Sequence, residues 1–434
     1  MTHRRTFLKA SASLAGSALA GPALSTCADP LPAQVPSSSA APDVLARDEA
    51  HWKQVRTLYP AQDEIINLEQ GYWGKMSNAV EAAYARHTHR VNHELSWYAR
   101  RDYPADFQHA RQRTAEALGV DASALMLTRN ATESFVNLVT QYQGLRQDDA
   151  VLWADVDYPE FQRMMAWLAD TRGAQGHRLA LPATGTDADY LKAYSDAFDA
   201  HPNLKLMVVT HVSNQHGLVL PVKRIAALAR QRGIHVICDC AQSWGLMDFT
   251  LPDLDVDWAV FNLHKWIGSP VGVGALYMRP GTRATVAPFP GERPGDEDVA
   301  NRVHLATSNF AAFLTVPDAL DFHNALGGAN KQVRLQYLRQ AWTDEFHDHA
   351  DIEILGPASM ANASGMGGVR LRGRSSEAQV GALQRRLQDE FGIFTVVRKE
   401  LASGCNVRVT PQTFTPVTAM HALAEALRRI AATA

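Results

Sequence analysis

The chain predicts an α/β fold, with a mainly parallel sheet forming a large domain and a smaller α+β domain at the C-terminus. Three observations carry that expectation. From about residue 122 to 262, short apolar runs alternate with amphipathic stretches of helical length, as in strand–helix–strand crossovers. The runs are nearly continuous in apolar residues, as suits strands buried on both faces. Each run also ends in polar or aromatic residues, at the edge where open α/β sheets place their ligands.

Taken in order, "ALMLT" reads as a strand and "ESFVNLVTQY" as a helix; "AVLWA" is the next strand, followed by the helical "EFQRMMAWLADTRG". "LKLMVVTHV" is a third strand, and "VKRIAALARQRG" is a helix ended by Gly233. "IHVICD" and "DWAVFN" complete the set. Their ends deliver Arg129 to Glu133, Asp155 to Tyr158, His211 to Asn214, Asp239 to Gln242, and Asn262 to Lys265. One such group would be a cap or a turn, whereas five at one edge make a site. Beyond Pro317, helices such as "VRLQYLRQAWTDEFHD" and "EAQVGALQRRLQDEFG" alternate with the short strands "GGVRLR", "FTVVR" and "NVRVT". The expected division is a large domain over 51–315, including an N-terminal segment, and a small one over 316–434.

The first residues read as an address. Arg4-Arg5 precede Phe7-Leu8-Lys9 and a weakly apolar Ala/Ser/Gly/Leu stretch, a pattern that resembles a twin-arginine signal over 1–27. An ordinary secretory signal is the alternative. Export to the periplasm by the twin-arginine machinery is the expectation, with lipid anchoring at Cys27 disfavoured because "LSTC" is a poor lipoprotein box. Residues 28–50 are expected to be a flexible linker, being rich in Pro, Ser and Ala over most of their length. A formal charge of -3 gives no electrostatic reason to propose nucleic acid. Four cysteines do not make a disulfide framework. His211, His216, His235, Cys238 and Cys240 cluster in sequence, but no metal-ligand spacing completes a zinc site, so none is expected.

Lys265 stands between His264 and Trp266 where a buried strand ends and a glycine-rich passage begins. A lysine there is either solvated or a nucleophile able to hold an aldehyde as a Schiff base. A pyridine aldehyde would also need a carboxylate at its ring nitrogen, an aromatic face, a donor for its hydroxyl and a phosphate cradle. Asp239 fits the carboxylate. Thr132 and the backbone N–H groups of Ala131 and Thr132 open a helix, a natural anion site. Asn262 and His264 are near enough to Lys265 to add donors. Tyr72, Trp73 and Lys75 in "QGYWGK" are candidates for the substrate mouth.

Together, "HVSNQHG", "VICDCAQSWG", "DWAVFNLHKW" and "GVGALYMR" resemble the class V aminotransferases, pyridoxal 5'-phosphate (PLP) enzymes. With "LTRNATESFVNLV" and "DVDYPEF" they are similar to the isopenicillin N epimerase-like branch. The resemblance implies the type I PLP-dependent transferase fold, PLP as cofactor and a homodimer. It makes Lys265 the Schiff-base lysine, Asp239 the partner of the pyridine nitrogen, and Gln242 and Asn214 the amides near the ring hydroxyl. Tyr158 falls at the ring-stacking position, and Arg408 resembles the arginine that clamps a substrate carboxylate. "ATSN", at 306–309, resembles the segment reaching the neighbouring subunit's phosphate, with Ala306 in place of the usual glycine before Thr307. The implied reaction is of transaminase or epimerase type on an amino acid or amine, with a C–S or C–N lyase as alternative and an inactive binding homologue as the non-enzyme one. A desulfurase is disfavoured, because Cys405 lies only three residues before Arg408.

Overall fold

The computed structural model describes residues 34–61, 64–292, 298–357 and 359–433. The signal read at 1–27, Cys27 and the start of the linker lie outside these residues. From Val35 onward the chain forms one compact unit. A two-residue strand, β1 (Ile66–Asn67), precedes a seven-stranded sheet. That sheet comprises β2 (Leu125–Thr128), β3 (Ala150–Ala154), β4 (Gln175–Leu179), β5 (Leu204–Thr210), β6 (His235–Asp239), β7 (Trp258–Asn262) and β8 (Gly274–Met278). Its order is β2-β8-β7-β6-β5-β3-β4. β8 runs antiparallel to both of its neighbours and the remaining pairs are parallel, so the expected mainly parallel sheet is present.

Apolar side chains of the sheet alternate between two cores. On β6, Val236 and Cys238 pack on one face while Ile237 packs on the other. Period-two alternation therefore puts Asp239 on the Ile237 face and holds both neighbouring cysteines away from it. The two thiols lie 3.5 Å apart in the opposite core.

A second sheet has the order β12-β13-β10-β9, all antiparallel: β9 (Ile352–Leu355), β10 (Gly367–Leu371), β12 (Val396–Arg398) and β13 (Asn406–Val409). Helices Gly328–Thr343, Glu377–Phe391 and Val417–Ala432 supply its core with Leu335, Leu387 and Leu423. β1 pairs in parallel with β11 (Ile393–Phe394), and Glu69 bridges to Thr410. Residues 66–69 are thus tied to the C-terminal part, although they were expected to belong with the large domain. Conversely, helix Val316–Leu326 sends Val316, Ala319 and Leu320 into the core of the large sheet, so the expected boundary at 315 falls before an element that packs with the large sheet.

The expected linker over 28–50 is shorter than its composition suggested. Helices Pro42–Leu45 and Glu49–Thr57 end it, with Asp48 accepting hydrogen bonds from the N–H groups of Ala50 and His51. Leu45 and Trp52 are buried, the Trp52 indole donates to the Leu45 carbonyl at 2.8 Å, and Arg334 holds the Ala46 carbonyl at 2.8 Å. Two apolar anchors were enough to fix a segment that Pro and Ala make look loose.

Candidate active site

The strand ends of the large sheet build the floor of the site. Backbone bonds along β5 and β6 place Thr210 beside Asp239, and the Asp239 carbonyl accepts from the N–H of His211 at 2.9 Å. Asp239 is only 5% exposed. One carboxylate oxygen accepts from the Ala241 N–H at 2.9 Å, and the other has no hydrogen-bond partner among the described residues. Burial pushes this carboxyl up to about 6, opposed by the Ala241 N–H and by Lys265. Burial likewise lowers Lys265 to about 8, with Asp239 acting in the opposite sense.

Three bonds to backbone atoms and one between side chains hold the segment around Lys265. The Leu263 N–H donates to the Val273 carbonyl at 3.0 Å, and the Gly74 N–H donates to the His264 carbonyl at 2.7 Å. The buried Lys331 ammonium donates to the Trp266 carbonyl at 2.8 Å, and the Trp266 indole donates to Gln242 Oε1 at 2.9 Å. Gln242 Nε2 donates in turn to the Gly71 carbonyl at 2.8 Å. Gln242 therefore ties the Gly71–Gly74 loop to the lysine segment, beyond the role of ring neighbour expected of it. A side chain at Gly74 has no room, since a Cβ there would lie 1.8 Å from the Lys265 carbonyl oxygen.

At the helix opening, two expectations need correction. The Ala131 N–H is not free: it donates to Asn262 Oδ1 at 2.9 Å. Asn262 thus spends its acceptor on the helix and keeps its amide donors. Asn130 caps the same helix, accepting from the Glu133 N–H at 2.8 Å. Among the described residues nothing accepts from the hydroxyl or N–H of Thr132, which lies in the first helical turn where helix geometry supplies no partner. His264 Nδ1 lies 2.8 Å from the Val273 carbonyl, so it carries the hydrogen. Burial lowers the ring to about 4. At neutral pH Nε2 is then an acceptor, and a donor role requires an anion that draws a second proton onto the ring.

In "DVDY", Asp155 and Asp157 are structural. Asp157 accepts from the N–H groups of Ala154 and Thr210, while Asp155 accepts from those of Leu181 and Ala402. Tyr158, which begins helix Pro159–Arg172, packs edge-on to Phe161 and lies within electrostatic reach of Asp239 and Tyr72. Asn214 is buried, and its carbonyl accepts from Arg408. Thr307 is exposed, follows Ala306 at φ 49°, and has no hydrogen bond to the Lys265 group.

The mouth departs most from expectation. Arg408 is fully buried on β13, with Nη1 donating to the Asn214 carbonyl at 2.8 Å and Nη2 paired to Glu69. The expected open clamp for a substrate carboxylate already holds a carboxylate of its own chain. Arg398, also missed in the sequence, lies 3.8 Å from the same Glu69 oxygen. Burial and the neighbouring Arg408 lower its guanidinium to about 10. Glu69, Arg398, Tyr72 and Trp73 line a cavity of about 750 Å³. Tyr72 and Trp73, the expected mouth residues, stand 68% and 54% exposed at its edge.

The seven-stranded sheet and the second-domain elements are those of the type I PLP-dependent fold. The chain belongs to the class-V aminotransferase family, whose model matches residues 75–388. It is similar to the isopenicillin N epimerase of Streptomyces clavuligerus, at 26% identity over 87% of this chain and 98% of the relative. It is also similar to a probable cysteine desulfurase of Vibrio cholerae serotype O1, at 25% identity over 70% of this chain and 79% of the relative. Among solved structures, the apo cysteine desulfurase of Thermococcus onnurineus NA1 superposes with a TM-score of 0.73 at 20% identity, covering 88% of this chain and 98% of that one. A C-DES variant with glycine covalently linked to its PLP cofactor gives 0.74 at 21% identity, covering 87% and 98%.

Proposed function

We propose that this protein is a PLP-dependent enzyme that moves a proton at the amine-bearing carbon of an amino acid or amine, ending in transamination or epimerisation. The observation that carries this reading is the buried Lys265–Asp239 pair, in which one Asp239 oxygen has no hydrogen-bond partner among the described residues. Such an oxygen suits a protonated ring nitrogen, and a lysine lowered to about 8 suits an aldehyde-binding amine. Lys265 would hold the cofactor, Asp239 its ring nitrogen, Tyr158 its face, Thr132 and Asn262 its phosphate. When bound, PLP supplies an electron sink for charge developing at the substrate carbon.

The chain's own groups do the remaining work. Lys265 Nζ accepts or returns a proton on its face of the substrate, and its depressed basicity keeps a useful fraction of free amine near neutrality. With the cofactor bound, Asp239 would hold a proton at the ring nitrogen by its negative charge. The bonds from Gln242, Lys331 and Gly74 keep the Lys265 backbone from drifting.

Among the described residues all three cysteines, Cys238, Cys240 and Cys405, are buried, and burial pushes the Cys405 thiol up. A desulfurase needs a presented thiolate, so this arrangement does not support that chemistry. Twin-arginine export and a homodimer with Thr307 serving the partner's site remain part of the proposal. The test is direct: the purified full chain should carry a yellow lysine-bound cofactor band that borohydride traps on Lys265. A colourless protein that takes up no PLP would sink the enzyme reading. Screening amines for keto-acid formation against loss of chirality then separates the two outcomes, and ammonia release would mark a lyase instead.

A further inference from the structure

We infer that the C-terminal part of the chain carries a second ligand site, built around Arg339, for a small molecule that presents a carboxylate or phosphate oxyanion. The site shares no residue with the Lys265 groups and stands or falls independently of the reading given to them.

The first observation is a buried cation that the fold leaves without a counter-ion. Arg339 lies near the end of helix Gly328–Thr343 and is 5% exposed. Its Nε donates to the Met366 carbonyl at 3.1 Å, whereas Nη1 finds only the Met360 thioether at 3.9 Å. Among the described residues Nη2 has no hydrogen-bond partner and the guanidinium forms no ion pair. Burial lowers it to about 10, with Asp344 acting in the opposite sense. His216, within electrostatic reach, brings no negative charge, and burial lowers its ring to about 4. A buried charge without a partner is strongly unfavourable, and an oxyanion is the partner that a guanidinium fork fits.

The second observation is room above that fork. Arg339 lines a cavity of about 550 Å³, among the roughly 300–1,000 Å³ that small-molecule sites occupy. Gly356 lines the same cavity at φ 135°, a conformation that favours glycine, and a Cβ there would lie 3.3 Å from Nη2. The loop therefore passes the free end of the guanidinium without covering it by a side chain. The volume admits a molecule larger than the oxyanion itself.

The third observation is the rest of the lining. Its two carboxylates do not occupy Arg339: Glu353 is held by Arg370 at 2.8 and 3.0 Å, and Asp344 is exposed and forms no ion pair among the described residues. Arg372 gives its donors to the carbonyls of His349, Ala350 and Ile352, and adds positive charge to the cavity without an ion pair of its own. Ser359 Oγ accepts from the Ala361 N–H at 3.2 Å and keeps its hydrogen to give, and the Gln340 amide bonds no described group. Donors thus surround the one charge that needs an acceptor.

The test is isothermal titration calorimetry of the full chain, in excess PLP so that the helix opening at Thr132 does not take up the anion. The probes are inorganic phosphate, citrate and, at matched ionic strength, chloride. Phosphate or citrate should bind saturably at a single site per chain where chloride does not, and the tighter of the two identifies the oxyanion the site takes. Arg339→Met should weaken that binding about tenfold or more. Because that change also removes the bond to Met366, Gln340→Glu serves as the second variant. It leaves every bond described here in place, sets a competing carboxylate in the same cavity, and should weaken binding by a similar factor at unchanged circular dichroism. Saturable binding of neither anion by the unchanged chain overturns the inference. So does binding that both variants leave as it was, since the anion then sits elsewhere, and in either case the Lys265 reading is untouched.

Discussion

The floor of the site and its mouth are assembled by different means. At the floor, Asp239 ends β6 and Lys265 lies just past β7, two consecutive, hydrogen-bonded strands of one sheet. At the mouth, Glu69 comes from the N-terminal segment and Arg398 and Arg408 come from the C-terminal sheet; the Glu69–Arg408 pair spans 339 residues. The floor thus inherits its geometry from the fold, while the mouth depends on three side chains finding one another. The proposed chemistry therefore rests on residues set by strand order, whereas the mouth rests on residues that meet across the chain.

The largest effect should come from breaking the floor at its anchor. Lys265→Ala should remove the lysine-bound band and lower turnover by about 10³-fold or more, since it deletes both covalent holder and acid/base. Its circular dichroism should stay that of the parent chain. Retained turnover would refute the assignment. Asp239→Asn comes next, with a loss of roughly 10²-fold in kcat and little change in fold, because the Ala241 N–H can still be accepted by the amide oxygen.

The seam between floor and mouth is Gly74. Gly74→Ala places a methyl group against the Lys265 carbonyl, and overpacking of this kind costs about 1–3 kcal/mol. Urea unfolding should show that loss, and the cofactor should bind less tightly because the lysine backbone has to shift. Unchanged stability and cofactor affinity would mean that the loop is not seated on the lysine.

The electrostatics of the floor give a smaller, graded test. Lys265 is depressed to about 8, so its free-amine fraction grows as pH rises through that value. PLP uptake by the cofactor-free chain should therefore accelerate about tenfold per pH unit below 8 and level off above it. Asp239 acts to raise the lysine, so Asp239→Asn should move the midpoint to lower pH. A midpoint that moves upward would show that the two groups do not face each other.

The floor was legible because each contributing strand announces itself by an apolar run and ends in the residue that matters. The alternation of Cys238, Asp239 and Cys240 even gave the direction of the carboxylate. β4 was not legible, because "QGHRL" is a largely exposed edge strand with no apolar run to betray it. The Ala131 N–H looked free because its partner, Asn262, lies 131 residues away. Arg408 looked like an open clamp for the same reason: nothing local to "NVRVT" shows that Glu69 arrives to neutralise it. The linker misled in the opposite direction, since Pro42 begins a helix as readily as it extends a coil.

The smallest expected effect lies away from both regions, at Ala306. Its φ of 49° is a left-handed conformation that costs a residue with a Cβ about 1–2 kcal/mol, and its family resemblance points to glycine there. Ala306→Gly relieves that strain but gives the unfolded chain more freedom, which returns part of the gain. The net should be a stabilisation of about 0.5–1 kcal/mol, read as a higher urea midpoint at unchanged slope. Because Ala306 is exposed, the lysine-bound band should stay as it is. If the band weakens instead, the strained turn is positioning Thr307 for a cofactor phosphate, and the floor of the site extends to a segment that the sheet does not build.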